Sequence, residues 1–175
     1  MISTNDIKIL YTAEEIDNRV QTLANEIMNN YSENEEIIMI CLLKGGFIFT
    51  ADLIRKLSRK IKIEFMSVSS YGDKLESSGI INIKQDVSCD INNKNIIIID
   101  DIIDTGNTLF NIKQHLINKK PNKIETCCLL DKSEGRLQNI TADYVGFKCP
   151  NKYVIGYGMD AASNYRNLPY IGYIE

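Results

Sequence analysis

Two kinds of apolar spacing divide the chain. Residues 13–30 place Ile16, Val20, Leu23, Ala24 and Ile27 on one helical face, behind a Thr12 that can cap the helix with Glu15 three places on. Ile37–Leu43 and residues 95–99 are instead nearly unbroken apolar runs, the second with four consecutive isoleucines, and such runs suit strands buried on both faces. Residues 61–68 and 123–130 read as further strands, and residues 47–58 and 109–118 as helices. Strands alternating with helices predict βαβ units, hence an α/β fold with a mainly parallel central sheet flanked by helices.

The pattern weakens twice. Residues 74–93 are largely polar, with a short hairpin strand expected at 80–83; a stretch of this length between core strands is a functional flap or a surface insertion. Towards the end, residues 143–147 and 153–157 read as short strands and 160–166 as a loop, pieces that pack beside a main sheet as a small lid. There is no internal repeat and no low-complexity linker, and 175 residues suit one domain that buries about two thirds of its unfolded surface.

Charge and cysteine usage narrow the class. A net charge of −3 with scattered Lys and Arg argues against a nucleic-acid binder working by broad phosphate neutralisation. No apolar run reaches membrane-spanning length, and the first residues lack signal-peptide character, so a cytoplasmic protein is expected. The five cysteines are odd in number without a Cys-x-x-Cys pair, which points to neither a disulfide framework nor a zinc site; Cys41, Cys127 and Cys128 read as core residues. The single His115 leaves no metal triad of histidines, and it either caps its helix or faces water.

Chemistry gathers where the isoleucine strand ends. Asp100, Asp101 and Asp104 stand at its exit, followed by Thr105, Gly106, Asn107 and Thr108 at the start of a helix. Unpaired amides, two hydroxyls and the helix dipole favour a phosphate there. Carboxylates suit sugar hydroxyls or a divalent cation, and the lysine of a triphosphate-binding loop is missing. Read alone, the stretch asks for one phosphate with a ribose beside it. The plain alternative is an ordinary strand, turn and helix capped by Asp104 or Thr105. Lys44, Gly45 and Gly46 end a second buried strand, which puts them at the same sheet edge, where ligands bind in open α/β sheets. Two glycines admit close backbone approach and the lysine supplies charge for a second anion, although Lys-Gly-Gly is also a common turn.

The run Asp-Asp-Ile-Ile-Asp-Thr-Gly at 100–106 resembles the phosphoribosyl-pyrophosphate motif of the type I phosphoribosyltransferases, in its hypoxanthine-guanine form. The resemblance extends over nearly the whole chain after Thr12, with five motifs in order. It implies a type I phosphoribosyltransferase fold with a mobile loop over about 70–93, beginning at Ser70 and Tyr71, and a small C-terminal hood over about 143–175. Lys44 and Gly45 would form the pyrophosphate loop, with a cis peptide before the lysine, and Arg166 would also hold pyrophosphate. Lys132, otherwise an ordinary surface lysine, would donate to the purine 6-oxo group and reject adenine. Tyr153 takes the place of a stacking aromatic that is more often Phe, and Val154 that of backbone groups reading the base edge; by spacing alone Tyr153 would be a core aromatic. Asp160 matches a second acidic site.

The same resemblance implies a reaction: transfer of ribose 5-phosphate from phosphoribosyl pyrophosphate to N9 of hypoxanthine or guanine, with Asp104 as general base. Asp100, Asp101 and Asp160 would serve Mg2+, with Asp100 standing where the family often has Glu, and Thr105, Gly106, Asn107 and Thr108 would hold the 5′-phosphate. A homodimer or homotetramer is implied. The competing class is a regulator of the same fold that binds phosphoribosyl pyrophosphate or nucleotides without catalysis.

Overall fold

The computed structural model describes residues 7–70 and 81–174. Its main sheet has six strands in the order β4-β3-β2-β5-β6-β7: β2 Ile37–Leu43, β3 Lys62–Ser70, β4 Ile81–Gln85, β5 Asn95–Ile103, β6 Lys123–Asp131 and β7 Tyr144–Lys148. All neighbours pair in parallel except β4, which runs antiparallel to β3 on the edge. The helices are α1 Ala13–Asn29, α2 Phe47–Arg55 and α3 Asn107–Ile117.

The apolar runs form strands because both faces are covered. Ile37, Met39, Ile97 and Ile99 face the core shared with α1 and α2, while Ile38, Ile40, Ile96 and Ile98 face the core shared with α3. All eight are essentially inaccessible, and each isoleucine so buried contributes about 2 kcal/mol by leaving water. Helix α1 starts as expected: Thr12 N–H donates to Glu15 Oε2 at 2.8 Å and Glu15 N–H to Thr12 Oγ1 at 3.3 Å. Its five spaced apolar residues are all buried. Arg19 then ties the helix to β7 through the Gly146 carbonyl, 2.8 Å from Nε.

A second sheet, antiparallel and in the order β1-β9-β8, makes the hood: β1 Lys8–Tyr11, β8 Tyr153–Ile155 and β9 Ile171–Ile174. Tyr11 stacks on Phe147 with ring centres 4.1 Å apart and donates to the Lys148 carbonyl at 2.7 Å, which fixes the hood to the edge of the main sheet.

Four boundaries differ from expectation. The segment assigned to the hood from residue 143 is instead β7, because β6 presents an open edge that pairs from Cys127↔Tyr144 to Asp131↔Lys148. The hood also takes a strand from the other end of the chain, β1. The strand expected over 153–157 stops at Ile155, since Gly156, Tyr157 and Gly158 all turn to positive φ. Of the loop expected over 70–93, Ser70 instead ends β3, Tyr71 lies outside the described residues, and from Ile81 the chain joins the sheet and buries Val87 and Ile91. Asp86 there meets His115 and Lys119, each at 2.8 Å, so the histidine neither caps its helix nor simply faces water. Among the described residues no helix is long and apolar enough to cross a membrane.

Candidate active site

The chain leaves β2 for β3 on one side and resumes at β5, which then leads to β6 and β7 on the other. Between β2 and β5 the strand order therefore reverses, and the loops at their carboxyl ends diverge around a crevice. A cavity of about 310 Å³ opens there, walled by Leu43, Gly45, Asp100, Asp101, Asp104 and Gly106.

One end of this cavity is the turn into α3. Gly106 holds φ +82° and caps the N-terminus of α3, and no side chain caps that end. Thr105, Gly106 and the exposed Thr108 lie at the cavity wall, at the positive end of the helix dipole. Thr105 Oγ1 accepts from Asn107 N–H at 3.3 Å, and Gln138 Nε2 donates to Asn107 Oδ1 at 2.8 Å, so the turn is braced from both sides.

Arg136 braces it from below. Its Nε donates to the Asp104 carbonyl at 2.9 Å and its Nη2 to the Ile103 carbonyl at 3.2 Å, while the guanidinium also pairs with Asp131 and the Ile140 carbonyl. Neither Arg136 nor Gln138 stands out in the sequence. They lie on the connection after β6, and only the fold brings them under the turn at Thr105 to Asn107.

The middle of the cavity is acidic. Asp100 is buried, and Asp101 N–H donates to its Oδ1 at 3.1 Å. Burial, then the neighbouring Asp101 charge, pushes the Asp100 carboxyl well above the usual carboxylate range. Burial raises Asp101 as well, against the pull of hydrogen bonds and of the Arg166 charge. Across from them the Leu43–Lys44 peptide is cis, as the resemblance implied. Lys44 is exposed, and Gly45 faces Asp101 so closely that a Cβ would lie 1.7 Å from Oδ2.

A second cavity, about 210 Å³, shares Asp101, Ile102 and Asp104 with the first and continues to Lys132, Tyr153 and Asp160. Lys132 Nζ lies 3.0 Å from Asp104 Oδ2. Tyr153 is exposed, with its hydroxyl donating to the Asp160 carbonyl at 3.1 Å, and Val154 is buried behind it. The Asp160 carboxylate accepts from Ser163 N–H at 2.7 Å and pairs with Arg166 at 2.6 Å. Arg166 also donates to the Gly158 carbonyl at 2.6 Å. Lys152 lines the same cavity, and nothing in its sequence setting marks it out.

Of the positions the sequence marked, Gly45, Asp100, Asp101, Asp104, Thr105, Gly106 and Thr108 line the first cavity and Lys132, Tyr153, Val154 and Asp160 the second, whereas Lys44, Asn107 and Arg166 are not among the lining residues. Among the described residues no set of three or more His, Cys, Asp or Glu could hold a metal alone. Two adjacent carboxylates, both raised by burial, are nevertheless a donor set that suits a hard cation completed by ligand oxygens.

The comparisons agree with this geometry. The phosphoribosyl transferase domain family matches residues 6–162. A hypoxanthine-guanine phosphoribosyltransferase of Aquifex aeolicus is 46% identical over 169 residues, spanning 97% of this chain and 95% of that protein. A solved hypoxanthine phosphoribosyltransferase of Staphylococcus aureus superposes with a TM-score of 0.94 at 40% identity, covering 98% of this chain and 93% of that one. A hypoxanthine-guanine phosphoribosyltransferase structure from Bacillus anthracis gives 0.91 at 42% identity, over 96% and 98%. The chain belongs to the phosphoribosyl transferase family, in the hypoxanthine-guanine branch that its Asp100 to Gly106 run resembles.

Proposed function

We propose that the protein is a purine salvage enzyme that transfers ribose 5-phosphate from phosphoribosyl pyrophosphate to N9 of hypoxanthine, and of guanine, giving the nucleotide and pyrophosphate. The observation that carries this reading is the shared wall: Asp101, Ile102 and Asp104 line both the cavity at the turn into α3 and the cavity with Lys132. A sugar and a base held in the two would meet at that wall.

Thr105, Gly106, Asn107 and Thr108 take the 5′-phosphate, and Asp100 and Asp101 orient the ribose hydroxyls. Lys132 donates to the purine 6-oxo group, Tyr153 stacks on the ring, and backbone groups at Val154 read the base edge. The C1–oxygen bond to pyrophosphate breaks as the C1–N9 bond forms, and Asp104 accepts the proton from purine N7. Lys44, Gly45 and Arg166 bind the departing pyrophosphate, whose negative charge grows as the sugar acquires oxocarbenium character.

Mg2+ held by Asp100 and Asp101, with Asp160 near the base, would supply charge neutralisation for the diphosphate. The protein works in the cytoplasm, a setting that five free cysteines fit. It assembles as a homodimer or homotetramer, for which the partly exposed Phe47, directly after the Gly45–Gly46 turn, offers contact area.

Purified protein with Mg2+ and phosphoribosyl pyrophosphate is tested against hypoxanthine, guanine, xanthine and adenine, with an EDTA control. Nucleotide is expected from hypoxanthine and guanine, not from adenine. Binding of phosphoribosyl pyrophosphate without turnover of any base would overturn the reading in favour of a regulator.

A further inference from the structure

We propose that the hydrogen bond between Tyr157 and Asp52 is a positioning link that registers the turn after β8 on the Gly45 turn and thereby sets Arg166 on pyrophosphate. The link rests on the proposed role of Arg166 in holding that group.

Tyr157 donates its hydroxyl to Asp52 Oδ2 at 2.5 Å, across 105 positions of sequence. Asp52 belongs to α2, the helix that begins directly after Gly45 and Gly46. Tyr157 belongs to the turn after β8, where it holds φ +48° between Gly156 at +95° and Gly158 at +101°. A tyrosine in the left-handed region persists only where its surroundings hold it there. The ring is buried, and burial followed by the Asp52 hydrogen bond pushes the hydroxyl's pKa up, so it remains a donor.

The neighbouring residue explains what the link positions. Gly158 approaches the Gly45 carbonyl so closely that a Cβ would lie 2.2 Å from its oxygen. Gly158 also makes both backbone contacts to Arg166: its N–H donates to the Arg166 carbonyl at 2.9 Å, and its carbonyl accepts from Nη1 at 2.6 Å. One turn therefore touches α2 through Tyr157, the anion turn through Gly158, and the guanidinium through the Gly158 carbonyl. Releasing Tyr157 frees the Gly158 carbonyl and leaves Asp160 as the remaining partner of the Arg166 guanidinium, while Tyr153 and Val154 stay paired with β9 and Lys132 and Asp104 are held from β6 and β5.

The test compares Tyr157→Phe, Asp52→Ala and Asp52→Asn with the wild type by calorimetric binding of pyrophosphate with Mg2+, separate KM values for phosphoribosyl pyrophosphate and hypoxanthine, and thermal midpoint. Phenylalanine keeps the buried ring and removes only the hydroxyl, and asparagine keeps an acceptor. Tyr157→Phe and Asp52→Ala are each expected to weaken pyrophosphate about tenfold, with hypoxanthine KM changed less than about twofold. Asp52→Asn is expected to retain most of the affinity, and the Tyr157→Phe/Asp52→Ala pair to be no weaker than either single variant. Unchanged pyrophosphate binding in Tyr157→Phe, equal losses for both substrates, or fully additive losses would overturn the link. A wild type that binds pyrophosphate but makes no nucleotide sinks the proposed reaction and leaves the binding comparison to judge the link. A wild type that binds no pyrophosphate overturns both.

Discussion

The Lys132 ammonium sits 3.0 Å from Asp104 Oδ2, with the lysine side chain 13% exposed and the carboxylate 47%. An ammonium has three donors, so Lys132 can keep this contact and still meet a carbonyl on an incoming base. The pair thus presents an acceptor for a ring N–H and a donor for an oxo group side by side. Asp104→Asn is expected to lower kcat by roughly a hundredfold to ten-thousandfold, the range for loss of a positioned base. Binding of phosphoribosyl pyrophosphate, measured by calorimetry, should change little.

Lys132→Ala removes the donor that distinguishes an oxo from an amino group. The expected result is a rise of roughly tenfold or more in KM for hypoxanthine and a reduced preference over adenine. Steady-state competition between the two bases measures it; undiminished discrimination would refute the assignment.

Gly45→Ala places a methyl where Asp101 Oδ2 would be 1.7 Å away, so the carboxylate must leave its place. Overpacking of this kind costs about 1–3 kcal/mol, and here the strain falls on a proposed ribose and metal ligand. Activity should fall far more than the thermal midpoint, and a variant with wild-type KM for phosphoribosyl pyrophosphate would count against that role of Asp101.

Arg136→Met leaves Asp131 and the Asp104 and Ile140 carbonyls without the guanidinium, while the Ile103 carbonyl keeps only the Lys132 N–H. The side chains are 14% and 17% exposed, and breaking so buried a pair costs about 3–5 kcal/mol. Urea unfolding should show that loss, with weaker 5′-phosphate binding because Asp104 and the Gly106 turn lose their support.

Glu36 supplies a prediction in pH. Hydrogen bonds from Lys62 and then Lys94 hold its carboxyl down at about 2. A lowered folded value means the stabilisation is present above the unfolded value of 4.5 and is lost as pH falls towards 2. Carboxyl NMR should place the Glu36 midpoint well below 4.5, and Lys62→Ala should raise it. High salt should shrink the difference, since all three groups are at the surface.

The buried centre of the fold was legible because residues 96–99 have no polar interruption, and the ends of such strands in an α/β sheet are where acids and glycines stand out. Strand β1 was not legible: its four residues, half of them exposed, acquire a sheet only from β9 at the far end of the chain. The placement of β7 was equally hidden, since five residues do not reveal which neighbour will pair with them. Arg136 looked like any loop arginine, and the Tyr157 to Asp52 contact spans too much sequence for any spacing rule to reach.

The pairing of β1 with β9, from Lys8↔Tyr173 to Tyr11↔Ile171, also sets an order of events during synthesis. The main sheet can assemble while the chain is still emerging, as β2 to β7 precede β8 and β9 in sequence. Strand β1 must wait for β9, at about 5–20 residues per second. Until residues 171–174 leave the ribosome, Tyr153, Val154 and Arg166 have no hood sheet to hold them beside the base cavity. A ribosome-bound intermediate stalled before Ile171 should therefore have a formed phosphate seat and no capacity to select a purine.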